Sequence, residues 1–238
     1  SKVEMTFTYP EVTTIDTFYT NDAGMLITPE KLEFGKGYSL KEVSAPYGYV
    51  LSHEAVKFDV TEENSTEESG VTIVAVKLGN YAQKGIIKIS KTGEVFATVT
   101  AADGVYQPVY TVQGLAGATY EIKAAADIYT PDGTLRCSAG EVVDTVTTGA
   151  DGMAESNPLY LGKYEITEMK APDGMVINKD AHTAELVYDG QEIEITETAA
   201  SFCNDRQKAR ISLSKVLEQN KQFGIGMNNE LSAVTFGF

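Results

Sequence analysis

Apolar and polar residues alternate with a period of two through most readable stretches of the chain, the pattern of strands with one buried face. Two of these stretches are versions of one another. Residues 35–49 read GKGYSLKEVSAPYGY, and residues 162–175 read GKYEITEMKAPDGM. Tyr38, Leu40 and Glu42 share a strand face in the first copy; Tyr164, Ile166 and Glu168 share the equivalent face in the second. A carboxylate on an apolar face is costly unless a partner there needs it. The two glutamates therefore mark the place to look for chemistry.

The likeness continues downstream. Val74, Val76, Leu78 and Asn80 alternate onto one face, as do Ala200, Phe202 and Asn204. A short polar link follows each asparagine, with Gln83-Lys84 in one copy and Gln207-Lys208 in the other. A new strand then opens, carrying Ile87, Ile89 and Lys91 in one case and Ile211, Leu213 and Lys215 in the other. The repeat distance is roughly 125 residues, too long for a solenoid repeat and the size of an ordinary domain. The period predicts a complete unit at residues 83–206. An incomplete unit without a lysine-bearing first strand precedes it at 1–82. The opening strands of a third follow at 207–238, ending in a strand at 232–236. So divided, the chain reads as an internal slice of a longer tandem array.

Asp-Gly pairs punctuate the strands at Asp103-Gly104, Asp132-Gly133, Asp151-Gly152, Asp173-Gly174 and Asp189-Gly190, each a hairpin signal. Strands separated by such turns, with no amphipathic helix of ordinary length, predict an all-β protein of antiparallel sandwiches. Residues 94–115 are long for a link between two strands and predict an added hairpin. The net charge of −15 over 238 residues argues against nucleic acid and anionic membranes as partners. No apolar run is long enough for a membrane helix.

Cys137 and Cys203 are the only thiols, and their spacing fits no zinc pattern. Cys203 falls between inward Phe202 and Asn204, so it faces out. Two free thiols and a disulfide between them both fit the sequence. The acidic stretch at residues 61–70, with Glu62, Glu63, Glu67 and Glu68, reads as a solvated loop whose oxygen spacing matches no calcium loop. His53 and His182 read as surface residues. No metal site and no cofactor are expected. Nor is there a Ser-His-Asp or Cys-His constellation or a phosphate-binding loop, so the chain is not expected to turn over a substrate.

Lys91, Glu168 and Asn204 remain. All three fall on inward strand faces of the complete unit, whereas Lys88 has the opposite parity to Ile87 and Ile89. Burial disfavours the charged forms of an amine and a carboxyl. A proton passed between them leaves a neutral amine able to attack the carboxamide, with the glutamate relaying protons as ammonia leaves. Fixed neighbours make such a step effectively unimolecular. The product is an internal isopeptide bond.

The pattern Tyr-x-[Leu/Ile]-x-Glu-x-x-Ala-Pro-x-Gly, with a first-strand lysine and a last-strand asparagine, resembles the Cna B-type (SpaA-like) domains of Gram-positive surface proteins and pilins. The resemblance implies tandem inverse immunoglobulin-like sandwiches. It assigns the bond to Lys91 and Asn204 and the assisting acid to Glu168. Glu42 and Asn80 match in the first unit, and Lys215 alone in the third. Met175 departs from the aromatic that usually closes the motif, although Tyr49 keeps it in the first copy. No motif resembles the lysine-bearing sequence that sortases use for polymerisation. The resemblance implies a stalk or pilin-like structural segment, outside the cell and held at the cell wall by an anchor beyond this segment. Its partners are then neighbouring repeats. The odd division of the chain by the period has two readings: arbitrary slicing, or head-to-tail strand exchange in which residues 209–238 complete the first unit of another copy. The alternative is an adhesin domain that binds a host or glycan ligand through the insertions at residues 94–115 and 124–142, with Tyr106, Tyr110 and Tyr129 as an aromatic platform.

Overall fold

The computed structural model describes residues 1–8, 12–28, 32–63, 66–68, 71–216 and 218–224. The chain divides into two compact units, Ser1–Arg206 and Gln207–Phe238. No helix occurs among the described residues.

The chain opens with β1 (Lys2–Thr8), β2 (Val12–Tyr19), β3 (Gly35–Ser44) and β4 (Val56–Val60). These form one antiparallel sheet in the order β2-β1-β3-β4. Alternation does here what the sequence implies: Tyr38 and Glu42 of β3 are buried together with Val3 and Met5 of β1. The short strands β5 (Thr66–Glu68) and β6 (Val71–Ile73) pair as a hairpin. The acidic stretch is therefore part hairpin and not wholly loop. Its Thr66 supplies the β-branched residue that periodicity alone does not reveal in so short a strand.

A second set of strands follows: β7 (Lys84–Ala102), β8 (Val105–Gly114), β9 (Thr119–Ala124), β10 (Ile128–Tyr129), β11 (Leu135–Cys137) and β12 (Val142–Thr147). It is completed by β13 (Met153–Glu155), β14 (Leu159–Tyr160), β15 (Gly162–Lys170), β16 (His182–Leu186) and β17 (Ile195–Asn204). One sheet has the order β12-β9-β15-β16; the other is built around β7, which pairs with β8, β13, β14 and β17. Between them lies one core, with Ile87 and Ile89 from β7, Tyr120 and Ile122 from β9, Tyr164 and Ile166 from β15, Leu186 and Phe202. Each fully buried side chain of this size contributes about 1.5–3 kcal/mol.

Strand β7 changes character along its length. Every second residue from Gly85 to Gly93 is buried, and beyond Glu94 the strand is largely exposed and pairs with β8 as a projecting hairpin. Asp103 and Gly104 form its tip with φ of 53° and 76°, the conformation a two-residue hairpin turn requires. The ladder between β7 and β17 is parallel, with Lys91 opposite Phe202 and Gly93 opposite Asn204. First and last strands are joined by no hairpin, so nothing forces them antiparallel.

The two sets of sheets share no strand, and Gln83 lies between them, 1 % exposed. Its side-chain amide donates to the carbonyls of Gly190 (2.8 Å) and Ile193 (2.5 Å) and accepts from the Asp189 amide (3.0 Å). Gln191 reaches the other way, accepting at Oε1 from the Ala45 amide at 2.9 Å. In the second unit, residues 207–216 enter no strand; the strand expected at residues 232–236 lies outside the described residues.

Candidate functional site

Three strands bring the sequence-selected residues together. Strand β7 points Lys91 inward in line with Ile87 and Ile89, β15 supplies Glu168 and β17 ends on Asn204; they are 1 %, 2 % and 3 % exposed. Lys88 has the opposite parity and pairs at the surface with Glu197 at 2.6 Å.

The glutamate bridges the other two. Lys91 Nζ lies 2.9 Å from Glu168 Oε1, at ion-pair distance but without hydrogen-bond alignment. Asn204 Nδ2 donates to Glu168 Oε2 at 2.9 Å and to the Val176 carbonyl at 2.7 Å. The Asn178 amide donates to the same Oε2 at 2.8 Å. The carboxamide is thus held by its nitrogen, while Asn204 Oδ1 is buried with no hydrogen-bond partner. A buried, imperfectly aligned ion pair is poor value as a stabilising device. As a reaction ground state it has the needed parts: an amine, a carboxyl relay and a carbonyl left free.

Aromatic rings wall off the lysine. Its Nζ lies 5.9 Å from the Tyr120 ring centroid and 6.0 Å from that of Phe202, and the two rings pack 4.6 Å apart. Burial, and then the negative charge of Glu168, push the Tyr120 hydroxyl well above the ordinary phenol range, so it stays protonated beside the carboxylate. The backbone of Lys91 is clamped as well. Its amide donates to the Gly152 carbonyl at 2.7 Å, and its carbonyl accepts from the Leu115 amide at 2.9 Å. Gly152 has φ +78°, and a Cβ there would stand 2.4 Å from the Lys91 carbonyl oxygen. Tyr120, Gly152, Val176 and Asn178 are contributors that sequence reasoning did not single out. Alternation of Tyr120 with Ile122 was the available signal for the first, and Asp151-Gly152 for the second. Val176 and Asn178 act through backbone atoms and carry no side-chain signal.

The first set of strands repeats most of this geometry. Glu42, 2 % exposed, accepts at Oε2 from Asn80 Nδ2 (2.5 Å) and from the Ser52 amide (3.0 Å). Asn80 Nδ2 also donates to the Val50 carbonyl at 3.0 Å. Val50 and Ser52 stand in the repeat where Val176 and Asn178 stand. Among the described residues no lysine or arginine pairs with Glu42, and residues 74–80 enter no ladder. Lys215 lies in the other compact unit, exposed.

The three tyrosines fall on two hairpins. Tyr106 and Tyr110 lie on β8 and Tyr129 on β10. Tyr106 is exposed. Tyr110 packs edge-on against Phe96 and lies 3.4 Å from the Arg206 guanidinium. Tyr129 borders a shallow cleft with Tyr47, Pro131, Tyr160 and Tyr188. Both cysteines are free. Burial, with the charge of Glu141 second, pushes the half-buried Cys137 thiol up, whereas Cys203 is exposed. His53 is exposed and 3.0 Å from Glu192; His182 packs at a tilt against Phe202, ring centroids 4.4 Å apart.

Comparison with known proteins adds one decisive match. Residues 1–74 and 109–199 fit the profile of the SpaA prealbumin-like fold domain. The chain belongs to the SpaA family. Each matched SpaA segment contains one of the two glutamate strands, β3 or β15; Lys91, Asn80 and Asn204 fall outside the matched residues. A curated relative of this SpaA chain is the trypsin-resistant surface T6 protein of Streptococcus pyogenes serotype M6, 31 % identical over 74 residues. That match covers 30 % of this chain and 14 % of the T6 protein. Similar solved structures include the Bacillus anthracis TIE protein, with 26 % identity, a TM-score of 0.46, and coverage of 86 % of this chain and 30 % of that one. The major pilin SpaD of Corynebacterium diphtheriae is 23 % identical with a TM-score of 0.33, over 52 % of this chain and 30 % of SpaD. The SpaA chain thus spans under a third of either.

Proposed function

We propose that this chain is a pilin-like structural segment of a Gram-positive surface protein, with residues 83–206 closed by an autocatalytic isopeptide bond between Lys91 and Asn204. Membership of the SpaA family and the relative that is a surface protein support the first half. The second half rests on one observation: Lys91 and Asn204 are both buried in contact with Glu168, one at each carboxylate oxygen, with the Asn204 carbonyl oxygen free.

A proton passes from Lys91 Nζ to Glu168 Oε1, leaving a neutral amine. The amine adds to Asn204 Cγ, and the carboxyl gives a proton to Nδ2 through Oε2, which already faces it. The Cγ–Nδ2 bond breaks, ammonia leaves, and the attacking nitrogen returns its surplus proton to Glu168. One C–N bond forms, one breaks, and Glu168 ends protonated against the new amide. The step occurs once per chain, so this is self-modification and not turnover. A bond between first and last strands routes tension along the array through a covalent link. It also removes unfolded-chain entropy worth about 4–5 kcal/mol, by analogy with a disulfide closing a loop of this length. The segment works outside the cell, alongside neighbouring repeats, in a protein anchored at the cell wall elsewhere along its length.

Intact-protein mass and a peptide map of the wild type and of Glu168→Ala test the reading. The wild type is expected to be one ammonia lighter than its sequence and to yield a branched peptide joining Lys91 to Asn204; the variant yields neither. A wild-type mass equal to that of the unmodified sequence refutes the bond.

A further inference from the structure

Among the described residues, four buried side-chain polar atoms have no hydrogen-bond partner: Lys91 Nζ, Glu168 Oε1, Asn204 Oδ1 and the Tyr120 hydroxyl. The first three are reacting atoms of the site above, so their lack of partners is what a ground state awaiting reaction requires. Tyr120 has no part in the steps above. Yet it stands on β9 directly opposite Glu168 of β15 and is fully buried. Its ring packs against Phe202, with Lys91 Nζ 5.9 Å from its centroid. A buried hydroxyl without a partner is a standing cost, and a phenylalanine would fill the same space without it.

The hydroxyl is not needed to build the arrangement. In the first set of strands Val3 stands opposite Glu42, as Tyr120 stands opposite Glu168. Glu42 nevertheless gathers the Asn80 side chain and the Ser52 amide, and Asn80 donates to the Val50 carbonyl. What Tyr120 adds is a donor kept in reserve, held protonated by burial and then by the charge of Glu168. The reaction has a use for one. When the amine adds to Asn204 Cγ, the carbonyl electron pair moves onto Oδ1, an atom with no donor of its own. Both Glu168 oxygens are engaged elsewhere, Oε1 at Lys91 and Oε2 at Asn204 Nδ2. In a site closed to water, a donor fixed where such charge develops is among the largest contributions to acyl transfer.

We propose that Tyr120 is a further catalytic residue of this site, its hydroxyl donating to the oxyanion that forms on Asn204 Oδ1. The orphaned donor and the orphaned carbonyl oxygen are then satisfied together, in the transition state and not before it, which is how a fixed donor lowers a barrier. No proton leaves the tyrosine. As the Cγ–Nδ2 bond breaks, the electron pair on Oδ1 restores the carbonyl, ammonia departs, and Tyr120 emerges unchanged. The inference rests on the isopeptide reading of Lys91 and Asn204.

The test compares the full 238-residue chain with its Tyr120→Phe variant, which keeps the ring and removes only the hydroxyl. Each is made cell-free in a short isotope pulse, and intact mass reads the loss of ammonia from labelled chains with time. Tyr120→Phe is expected to lose ammonia about 10²–10³-fold more slowly than wild type and to reach the same branched Lys91–Asn204 peptide. The deficit is expected to be uniform across the pH range in which the protein stays folded. A purely structural hydroxyl would leave the rate unchanged, and equal rates overturn the proposal. So does a slow variant whose rate recovers fully on a change of pH, because the hydroxyl would then work through the proton affinity of Glu168 and not on Oδ1. The parent reading is judged on wild type alone. Ammonia loss there with no effect of the variant sinks only this inference; no ammonia loss in wild type sinks both.

Discussion

Asn204→Ala separates a covalent site from a merely packed one, because the first set of strands supplies its own control. Asn204 donates two buried hydrogen bonds, to Glu168 and to Val176. Asn80 donates the matching two, to Glu42 and Val50. Truncating either asparagine removes two bonds worth about 1–1.5 kcal/mol each, so Asn80→Ala in dilute monomer is expected to cost roughly 2–3 kcal/mol. Asn204→Ala also opens a loop of about 110 residues whose closure is worth roughly 4–5 kcal/mol. Its expected cost is therefore about 6–8 kcal/mol, a large share of the 5–15 kcal/mol of a typical domain. Urea denaturation followed by amide exchange at β3 and β15 reads the two sets of strands separately. The decisive quantity is the difference between the two variants. Equal costs would mean that no bond links Lys91 to Asn204, whatever the burial of the triad.

Gly152→Ala forces an alanine into φ +78° with its Cβ 2.4 Å from the Lys91 carbonyl. It is expected to cost about 1–3 kcal/mol and to slow the loss of ammonia, which timed mass measurements on freshly refolded protein would follow. Unchanged kinetics would show that the Gly152 clamp does not set the lysine's position. Lys88→Ala removes the surface lysine paired with Glu197 and is expected to leave the ammonia loss intact. A variant that keeps its full mass would move the nucleophile from Lys91 to Lys88.

Much of the complete site was legible because a period of two converts residue number into face. Lys91 and Lys88 differ by an odd number, and the structure puts one in the core and the other at the surface. The Asp103-Gly104 pair predicted the tip of a hairpin through its tolerance of positive φ, and the hairpin is there. Alternation carries no information on strand direction, so the parallel ladder of β7 with β17 was not foreseen. Backbone donors and acceptors leave no mark on a side-chain pattern either, which is why Val176 and Asn178 escaped notice although they fix two of the bonds around Glu168 and Asn204. The hairpin inside the acidic stretch was missed because three-residue strands are too short to show a period.

Gln83 gives the joint between the two sets of sheets a different standing from a linker. A flexible tether would let one set of sheets swing freely about the next; here the Gln83 side chain holds three backbone groups at residues 189–193 of the second set, while its backbone amide donates to the Gly48 carbonyl of the first at 2.9 Å. Bending there must break part-buried hydrogen bonds, at a penalty of about 1–3 kcal/mol for each group left buried and unpaired. Thermal energy seldom supplies that, so the joint behaves as a splint. A segment splinted at Gln83 holds its two sets of sheets at a set distance and heading, instead of letting one sweep the volume around the other.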